Sequence, residues 1–280
     1  MAKVYEALRR AEEERKRKAG GEAASVAAVD WDSSPQSAPK SKRSWFKRQR
    51  GPRGRAGLAT TSTEANRRRI SLLEPDSFVS EQFRVLRGRI DSIAAQRSLR
   101  TIVVTSANAS EGKSNVSINL AAVTAMGVGR RVLLVDCDLR RPMIHRSLGL
   151  DPQMGLAEVL TDRATLDEAI LKLGEVNLDV LAVRSLPENP SELLASDQMR
   201  SLIEEISRRY DRTILDTPAT LGLPDSKILS EIADGLVMVV RAGTTPREEV
   251  QAALDVLDRR RVLGMVLNGT DQGHERYGYY

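Results

Sequence analysis

The chain has 280 residues, of which 41% are hydrophobic, with a net charge of +5 and one cysteine, Cys137. This length allows one large domain or two small ones, and the apolar content is sufficient for a substantial core. The sequence lacks a stretch of roughly 18 apolar residues that could span a membrane, an apolar secretory signal and a second cysteine for an internal disulfide. These features favour a cytoplasmic protein.

The N-terminal part of the chain is predicted to lie outside the folded core. Residues 1–18 are predicted to form a short amphipathic helix, because apolar residues recur there at helical spacing. Residues 19–77 are predicted to be a flexible, disordered basic linker, since they are rich in Ala, Ser, Pro, Gly and Arg. Residues 40–69 contain eleven Lys or Arg and one acid. This basic segment is either a solvated stretch of charge or a contact for an anionic membrane surface, and nucleic acid is a less favoured partner.

The pattern changes from residue 78 onward, and residues 78–268 are predicted to form one α/β domain. Runs rich in Val, Ile and Leu alternate with helical segments, which is typical of a mostly parallel sheet with helices on both faces. The predicted strands are 101–106, 131–136, 178–183, 212–216, 236–240 and 262–268, and the clearest helices are 77–95, 113–126, 196–209 and 246–260.

The first strand leads into a segment with the spacing of a phosphate-binding loop. Ala107 stands five residues before Gly112, and Lys113 and Ser114 follow, which is a Walker A pattern with Ala at its first position. In this interpretation the domain is of the P-loop NTPase type, Lys113 reaches the β- and γ-phosphates of ATP, and Ser114 binds Mg²⁺. The alternative is an ordinary strand-to-helix turn. The predicted nucleotide-binding residues of the loop are Ala107, Asn108, Ala109, Ser110, Glu111, Gly112, Lys113, Ser114 and Asn115.

Acidic residues follow two later strands. Asp136 and Asp138 come at the end of "RVLLVDCD", and Asp216 ends "RTILD". Ligands of open α/β sheets bind at the carboxyl ends of the strands, so these three carboxylates are candidates for the catalytic site. Asp138 and Asp216 are predicted metal ligands. Each alone is also compatible with a capping or turn aspartate, but the order of all three motifs favours the site.

Three of the five tyrosines in the chain occupy positions 277, 279 and 280. A chain end is usually solvated and mobile, so we expect residues 269–280 to form a flexible tail that docks elsewhere or is itself modified.

With these motifs the chain resembles the bacterial tyrosine kinases (BY-kinases), which accompany capsule and exopolysaccharide export. The resemblance covers residues 78–280 and includes "LLVDCDLRRP", "ENPSELLAS", "YDRTILDTPA", "ADGLVMVVRAGTT" and "LGMVLN". It also includes Glu81, Arg84 and Arg87, which have the ExxRxxR spacing through which family members assemble into rings. The resemblance implies an ATP- and Mg²⁺-dependent tyrosine autokinase whose phosphoacceptors are the tail residues Tyr277, Tyr279 and Tyr280.

The resemblance also implies residue roles and partners. Lys113 holds phosphates, Asp136 is the candidate base for the tyrosine hydroxyl, and Asn268 is expected near the adenine. Arg140 and Arg141 are candidates either for phosphate binding or for pairing with surface acids. The implied partners are a membrane-spanning polysaccharide co-polymerase that acts as activator, other copies of the chain in a ring, and a cognate tyrosine phosphatase. The implied location is the inner face of the cell membrane.

Two other functions remain open at this point. A Min- or Par-type ATPase shares the fold and the acidic motifs, but it carries an additional lysine near Asn108 that this chain lacks. The second alternative is a non-catalytic adaptor that binds ATP only to assemble. The chain also departs from the kinase pattern at Ala109 and Ser110, where Pro and Gly are frequent, and at Asn115 and Arg184, which replace a common Thr and Gly.

Overall fold

A computed structural model describes residues 69–173 and 176–270 of the chain. The predicted helix within residues 1–18, most of the predicted linker and the tail from residue 271 lie outside the described residues. The helices are α1 (Ile70–Leu73), α2 (Phe78–Ala94), α3 (Lys113–Ala125), α4 (Ile144–Leu148), α5 (Leu156–Leu160), α6 (Leu166–Ala169), α7 (Pro190–Leu194), α8 (Asp197–Arg209), α9 (Asp225–Ile232) and α10 (Arg247–Val256). The strands are β1 (Thr101–Ser106), β2 (Val132–Asp136), β3 (Ile170–Leu173), β4 (Leu178–Leu181), β5 (Arg212–Asp216), β6 (Gly235–Arg241) and β7 (Val262–Asn268).

The seven strands form one sheet in the order β3-β4-β2-β5-β1-β6-β7. All neighbours are parallel except β3, which pairs antiparallel with β4 at one edge. The predicted mostly parallel α/β fold is therefore confirmed, and each of the six predicted strands is present. The prediction missed β3, a four-residue edge strand that follows α6 without a break.

Helices cover both faces of the sheet. Because successive residues of a strand point to opposite faces, each strand contributes side chains to two cores. On β1, Ile102 and Val104 belong to the core under α2 and α3, whereas Val103 belongs to the core under α8, α9 and α10. The central strands β1, β2 and β5 are buried along their whole length. Such strands cannot alternate between apolar and polar residues, which is why they appear in the sequence as continuous Val, Ile and Leu runs.

Helix α2 is amphipathic, as predicted. It begins at Ser77, whose hydroxyl accepts a hydrogen bond from the amide of Ser80 at 3.2 Å and so satisfies one of the free amides of the first turn. Phe83 and Ile90 are buried against the core formed with α3. Within the described residues, no helix is both long and apolar enough to cross a membrane.

The folded region begins before residue 78, so the predicted linker 19–77 extends too far. Residues 70–73 form α1, and the amide of Ser71 donates to Asn119 Oδ1 of α3 at 2.9 Å. The hydroxyl of Ser80 donates to the carbonyl of Glu74 at 2.7 Å, which fastens the next turn. A sequence with little periodicity is held here by specific hydrogen bonds to α2 and α3.

Candidate active site

The candidate site lies where the carboxyl ends of β2, β5 and β1 meet at one edge of the sheet. These three strands are neighbours, and Asp136 of β2 is aligned with Asp216 of β5. Asp216 is in turn aligned with Val104 of β1, from which the chain runs into the loop 107–112. The fold therefore brings together the loop and the two acidic segments that the sequence identified.

The loop 107–112 turns sharply into α3. Gly112 caps the helix with a φ of +96°, and a side chain at this position would place its Cβ 2.0 Å from Nδ2 of Asn268. Both the backbone conformation and the lack of space therefore require glycine. Ser110 also has a positive φ, of 65°, in the region where glycine is unstrained. The departure from the kinase pattern at Ser110 is thus a serine in a glycine-favouring conformation.

The backbone of the loop is held from outside by the adjoining strands. Asn268, the last residue of β7, donates from Nδ2 to the carbonyl of Glu111 at 2.8 Å. Arg241, the last residue of β6, donates from Nη1 to the carbonyl of Ser110 at 3.0 Å. Because these bonds occupy the carbonyls, they favour a loop whose amides are left for a ligand. The structure thus places Asn268 directly against the predicted phosphate loop.

Side chains of the loop contact the segment after β6. Thr245 donates its hydroxyl hydrogen to Glu111 Oε1 at 2.5 Å, and Asn108 donates from Nδ2 to Glu249 Oε2 at 2.5 Å. Sequence reasoning missed Arg241, Thr245 and Glu249. The available signal was that "RAGTTPREE" follows the strand next to β1, so its first residues must lie at the same edge of the sheet.

Asp136 and Asp216 are fully buried carboxylates in this edge. Asp136 is fixed by backbone amides: its Oδ1 accepts from Asp138 at 3.2 Å, and its Oδ2 accepts from Met143 at 3.1 Å and Ile144 at 3.0 Å. Burial, together with the negative charge of Asp216, raises the pKa of Asp136 well above its usual range. The predicted base is therefore held rigidly and out of solvent.

Asp216 connects the acids to the start of α3. Burial raises the pKa of Asp216 to about 6, and hydrogen bonds from Ser114 and Ser117 and the charge of Lys113 act in the opposite direction. The Ser117 hydroxyl donates to Asp216 Oδ1 at 2.8 Å. The structure thus brings Lys113, Ser114 and Asp216 together, as the two Walker motifs predicted.

Asp138 differs from the two buried acids because it is partly exposed. Its Oδ1 accepts from the amides of Arg140 at 3.3 Å and Arg141 at 2.8 Å, so the carboxylate closes a turn on its own backbone. Its other oxygen, Oδ2, is left for a ligand. Of the three predicted carboxylates, Asp138 is the one that is partly exposed to solvent.

The donor set matches the coordination that Mg²⁺ prefers. Mg²⁺ favours oxygen ligands and is usually held by one or two carboxylates together with phosphates and waters. Ser114, Asp138 and Asp216 supply such oxygens. Among residues 69–173 and 176–270, no group of three His, Cys, Asp or Glu side chains is close enough to hold a metal alone. Ser114, Asp138 and Asp216 thus fit a Mg²⁺ ion that is bound together with a phosphorylated ligand.

Asn115 and the predicted oligomerisation residues form contacts within the chain. The side chain of Asn115 is engaged along α3, since Asn119 Nδ2 donates to its Oδ1 at 2.7 Å. On α2, Arg84 pairs with Glu81 at 2.8 Å, and Arg87 donates to the carbonyl of Val123 in α3 at 2.6 Å.

The proposed oligomerisation residues Glu81, Arg84 and Arg87 thus make contacts within the chain, and they are not part of the active site. The predicted acceptors Tyr277, Tyr279 and Tyr280 lie outside the described residues.

The strand-loop-helix with Lys113 and Ser114, followed by acids at two adjacent strand ends, defines a P-loop nucleotide-binding protein. A family model described as "AAA domain" matches residues 99–259. The tyrosine-protein kinase YwqD of Bacillus subtilis is 39% identical over 214 residues, which are 75% of this chain and 90% of YwqD. The chain belongs to the bacterial tyrosine-protein kinase family.

Solved structures agree with this family. The kinase domain of the Escherichia coli tyrosine kinase ETK is 31% identical, with a TM-score of 0.68 over 75% of this chain and 84% of that chain. The chimerical protein CapA2B2 is also 31% identical, with a TM-score of 0.68 over 71% of this chain and 88% of that chain. The fold of this family implies that the site binds a nucleotide together with a metal.

Proposed function

We propose that the protein is an ATP- and Mg²⁺-dependent autokinase that phosphorylates its own Tyr277, Tyr279 and Tyr280. The observation that carries the proposal is the contact of Asn268 with the loop. Because Asn268 ends β7 and hydrogen-bonds the Glu111 carbonyl, the chain that continues toward the tyrosines leaves the sheet beside the phosphate loop. Eight residues separate Asn268 from Tyr277, the first acceptor, so the extended chain can span roughly 30 Å. This length permits entry into the site of the same or of a neighbouring copy.

The residues of the site have distinct roles in this proposal. The nucleotide, bound with Mg²⁺, supplies the phosphoryl group that is transferred. Lys113 and the amides of the loop neutralise and orient the phosphates, while Ser114, Asp138 and Asp216 are the metal ligands. Asp136 accepts the proton of the tyrosine hydroxyl. Its three backbone hydrogen bonds fix its position, and its raised pKa makes the carboxylate a stronger base than an exposed aspartate.

The environment of Tyr210 supports the choice of acceptors. Tyr210 is the only tyrosine among the described residues, and it is buried. Its hydroxyl donates to Asp179 Oδ2 at 2.7 Å, and burial together with this bond raises its pKa well above the usual value. A hydroxyl that is buried and already bonded to a carboxylate cannot enter a neighbouring active site. Tyr210 is thus excluded as an acceptor in the folded protein.

The proposed cellular role follows from the family resemblance. We propose that the phosphorylation state of the tyrosine cluster regulates polymerisation and export of a capsule or exopolysaccharide. A membrane-spanning polysaccharide co-polymerase would recruit the protein to the inner face of the membrane, and a tyrosine phosphatase would reset it. Glu81, Arg84 and Arg87 would contribute to assembly into a ring, in which each tyrosine cluster is held at high effective concentration beside the next site.

The test is incubation of the purified full chain with Mg-ATP, followed by detection of phosphotyrosine and mapping by mass spectrometry. We expect phosphate on residues 277–280 in the wild type and none in Lys113→Met, because the γ-phosphate loses its main cationic contact. A variant with Phe at all three tail positions should still hydrolyse ATP. ATP hydrolysis without phosphotyrosine in the wild type would overturn the proposal in favour of a Min- or Par-type ATPase. ATP binding with neither activity would instead favour the adaptor.

A further inference from the structure

Arg140 follows Asp138 in the loop after β2, and its guanidinium is bonded to two other segments of the chain. Nε donates to Asp225 Oδ2 at 2.9 Å, and Nη2 donates to Ser191 Oγ at 2.8 Å. The Ser191 hydroxyl donates in turn to Asp225 Oδ1 at 2.6 Å. Each of the three side chains is therefore bonded to the other two. We refer to Arg140, Ser191 and Asp225 as the Arg140 triangle.

The Arg140 triangle joins segments that are far apart in the sequence but meet beside the active site. Asp225 is the first residue of α9, at the end of the loop that begins after Asp216. Ser191 lies in the first turn of α7. Arg140 itself belongs to the turn in which its amide donates to Asp138. The loops that carry the two predicted metal ligands, Asp138 and Asp216, are thus cross-linked through one guanidinium.

Burial makes this cross-link costly to break. The side chain of Asp225 is 1% exposed and that of Arg140 is 35% exposed. Both oxygens of the Asp225 carboxylate are occupied within the triangle, and the hydrogen bond that Arg140 donates to Asp225 raises the pKa of the guanidinium. Leaving a buried carboxylate without its cation is strongly destabilising, so the guanidinium is held beside Asp225. Of the two roles considered for Arg140, the structure supports pairing with an acid.

We propose that Arg140 is a positioning residue that sets the place of Asp138 relative to Asp216 and so tunes the affinity of the site for Mg²⁺ with nucleotide. This inference rests on the proposed assignment of Asp138 and Asp216 as metal ligands. Residues that orient metal ligands without touching the metal typically change metal affinity by roughly tenfold to a hundredfold when they are replaced. Arg140 is placed to act in this way because its backbone amide donates to Asp138, while its side chain donates to Asp225 at the end of the loop that follows Asp216.

The experiment is a titration of the purified full chain with a fluorescent ADP analogue at a series of Mg²⁺ concentrations, including none. Arg140→Gln removes the charge, and Arg140→Lys keeps it but cannot bond Asp225 and Ser191 in one plane. Arg208→Gln is the matched control, because Arg208 of α8 is exposed and its side chain makes no hydrogen bond or ion pair with any described residue. Ser191→Ala removes the hydroxyl that bonds both Arg140 and Asp225 and leaves the two charges in place. Thermal unfolding without nucleotide is measured for each variant.

We expect Arg140→Gln to raise the Mg²⁺ concentration for half-maximal binding by about tenfold or more. Arg140→Lys and Ser191→Ala should shift it in the same direction by less, and Arg208→Gln should leave it unchanged. Binding without Mg²⁺, which depends on Lys113 and the loop, should remain as in the wild type. Equal weakening with and without Mg²⁺, in proportion to a lowered melting temperature, would reduce Arg140 to a purely structural role and overturn the inference.

Two further outcomes separate the inference from the proposed function. A wild-type protein that responds to Mg²⁺, together with Arg140 and Ser191 variants that respond identically, overturns the positioning role and leaves the proposed function intact. If nucleotide binding by the wild type does not depend on Mg²⁺, the assignment of Asp138 and Asp216 as metal ligands is overturned, and the inference with it. Neither result depends on the tyrosine cluster, since no phosphorylation is measured.

Discussion

Strands β2 and β5 have charged groups at both ends. Opposite charges meet at the amino end, whereas like charges meet at the carboxyl end. At the amino end, Asp91 of α2 accepts two bonds from Arg130, at 2.8 and 2.9 Å, and one from Arg212 at 3.2 Å. At the carboxyl end, two aligned and buried carboxylates, Asp136 and Asp216, add their negative charges. Paired charges at the first end stabilise the fold, whereas like charges at the second oppose it. Buried groups with such perturbed pKa values are typical of functional sites.

The largest expected effect comes from the carboxyl end. Asp216→Asn should lower the initial rate of tyrosine phosphorylation by about 10²–10³-fold, or about 3–4 kcal/mol of activation free energy, because the Mg²⁺ that neutralises the phosphoryl group loses one of its proposed ligands. The rate is measured by quantitative mass spectrometry of residues 277–280. Asp151→Asn, at an exposed position, is the control. A rate within threefold of the wild type would remove Asp216 from the active site.

The amino end should behave in the opposite way. Asp91→Ala leaves the buried guanidinium of Arg212 without its partner, so the free energy of unfolding should fall by about 2–3 kcal/mol. This is less than for a fully buried pair, because the Asp91 side chain is 27% exposed. Urea denaturation measures the change. Nucleotide affinity of the folded variant should remain at the wild-type value, since the cluster lies at the far end of the strands.

The exposed pair Glu81–Arg84 supplies the matched control for Asp91. The Glu81 side chain is 58% exposed, so Glu81→Ala should change the free energy of unfolding by less than about 1 kcal/mol. If both substitutions cost the same, burial of Arg212 does not account for the effect at Asp91.

A smaller effect concerns the pH dependence of stability at the carboxyl end. The folded-state pKa of Asp216, about 6, is above its value of 3.8 in the unfolded chain. Between these values the folded state binds the proton more tightly, so stability falls as the pH rises through this window. Asp216→Asn should therefore stabilise the protein by up to about 3 kcal/mol at pH 7, and the gain should vanish below about pH 4.

Urea denaturation of the wild type and of Asp216→Asn, at pH 4 and at pH 7, measures this gain in stability. A gain of equal size at both pH values would mean that ionisation of Asp216 is not its cause. A loss of stability at pH 7 would mean that the hydrogen bond from Ser117 outweighs the cost of burying the charge.

The same contrast explains how much of the molecule was predictable from the sequence. Strands β1, β2 and β5 are buried on both faces, so their apolar runs identified them. The acids at their carboxyl ends were also visible, because parallel strands place such residues at one edge. Edge strand β3 was not visible, since only one of its four residues is buried and it pairs antiparallel.

Contacts between distant residues account for the rest. Arg140 was recognised as a candidate, but its partner Asp225 lies 85 positions away, and no local pattern connects them. Asp91 likewise meets Arg212 across 121 positions. The start of the folded region was misplaced for a similar reason, since Ser71 is held by Asn119, 48 positions away, and not by a periodic apolar pattern.

The smallest expected effect concerns Cys137, which lies between the acids of the carboxyl end and links both regions in one measurement. Cys137 is fully buried, and burial together with the charge of Asp136 raises the pKa of its thiol. A thiol reagent should therefore leave the native protein unmodified at pH 8, except through unfolding. If labelling requires global unfolding, Asp91→Ala should accelerate it on the order of thirtyfold or more, in step with the 2–3 kcal/mol expected from denaturation. A labelling rate that is the same in Asp91→Ala and the wild type but changes with Mg-ADP would show instead that the carboxyl end opens locally. Such opening would be independent of the paired charges at the amino end.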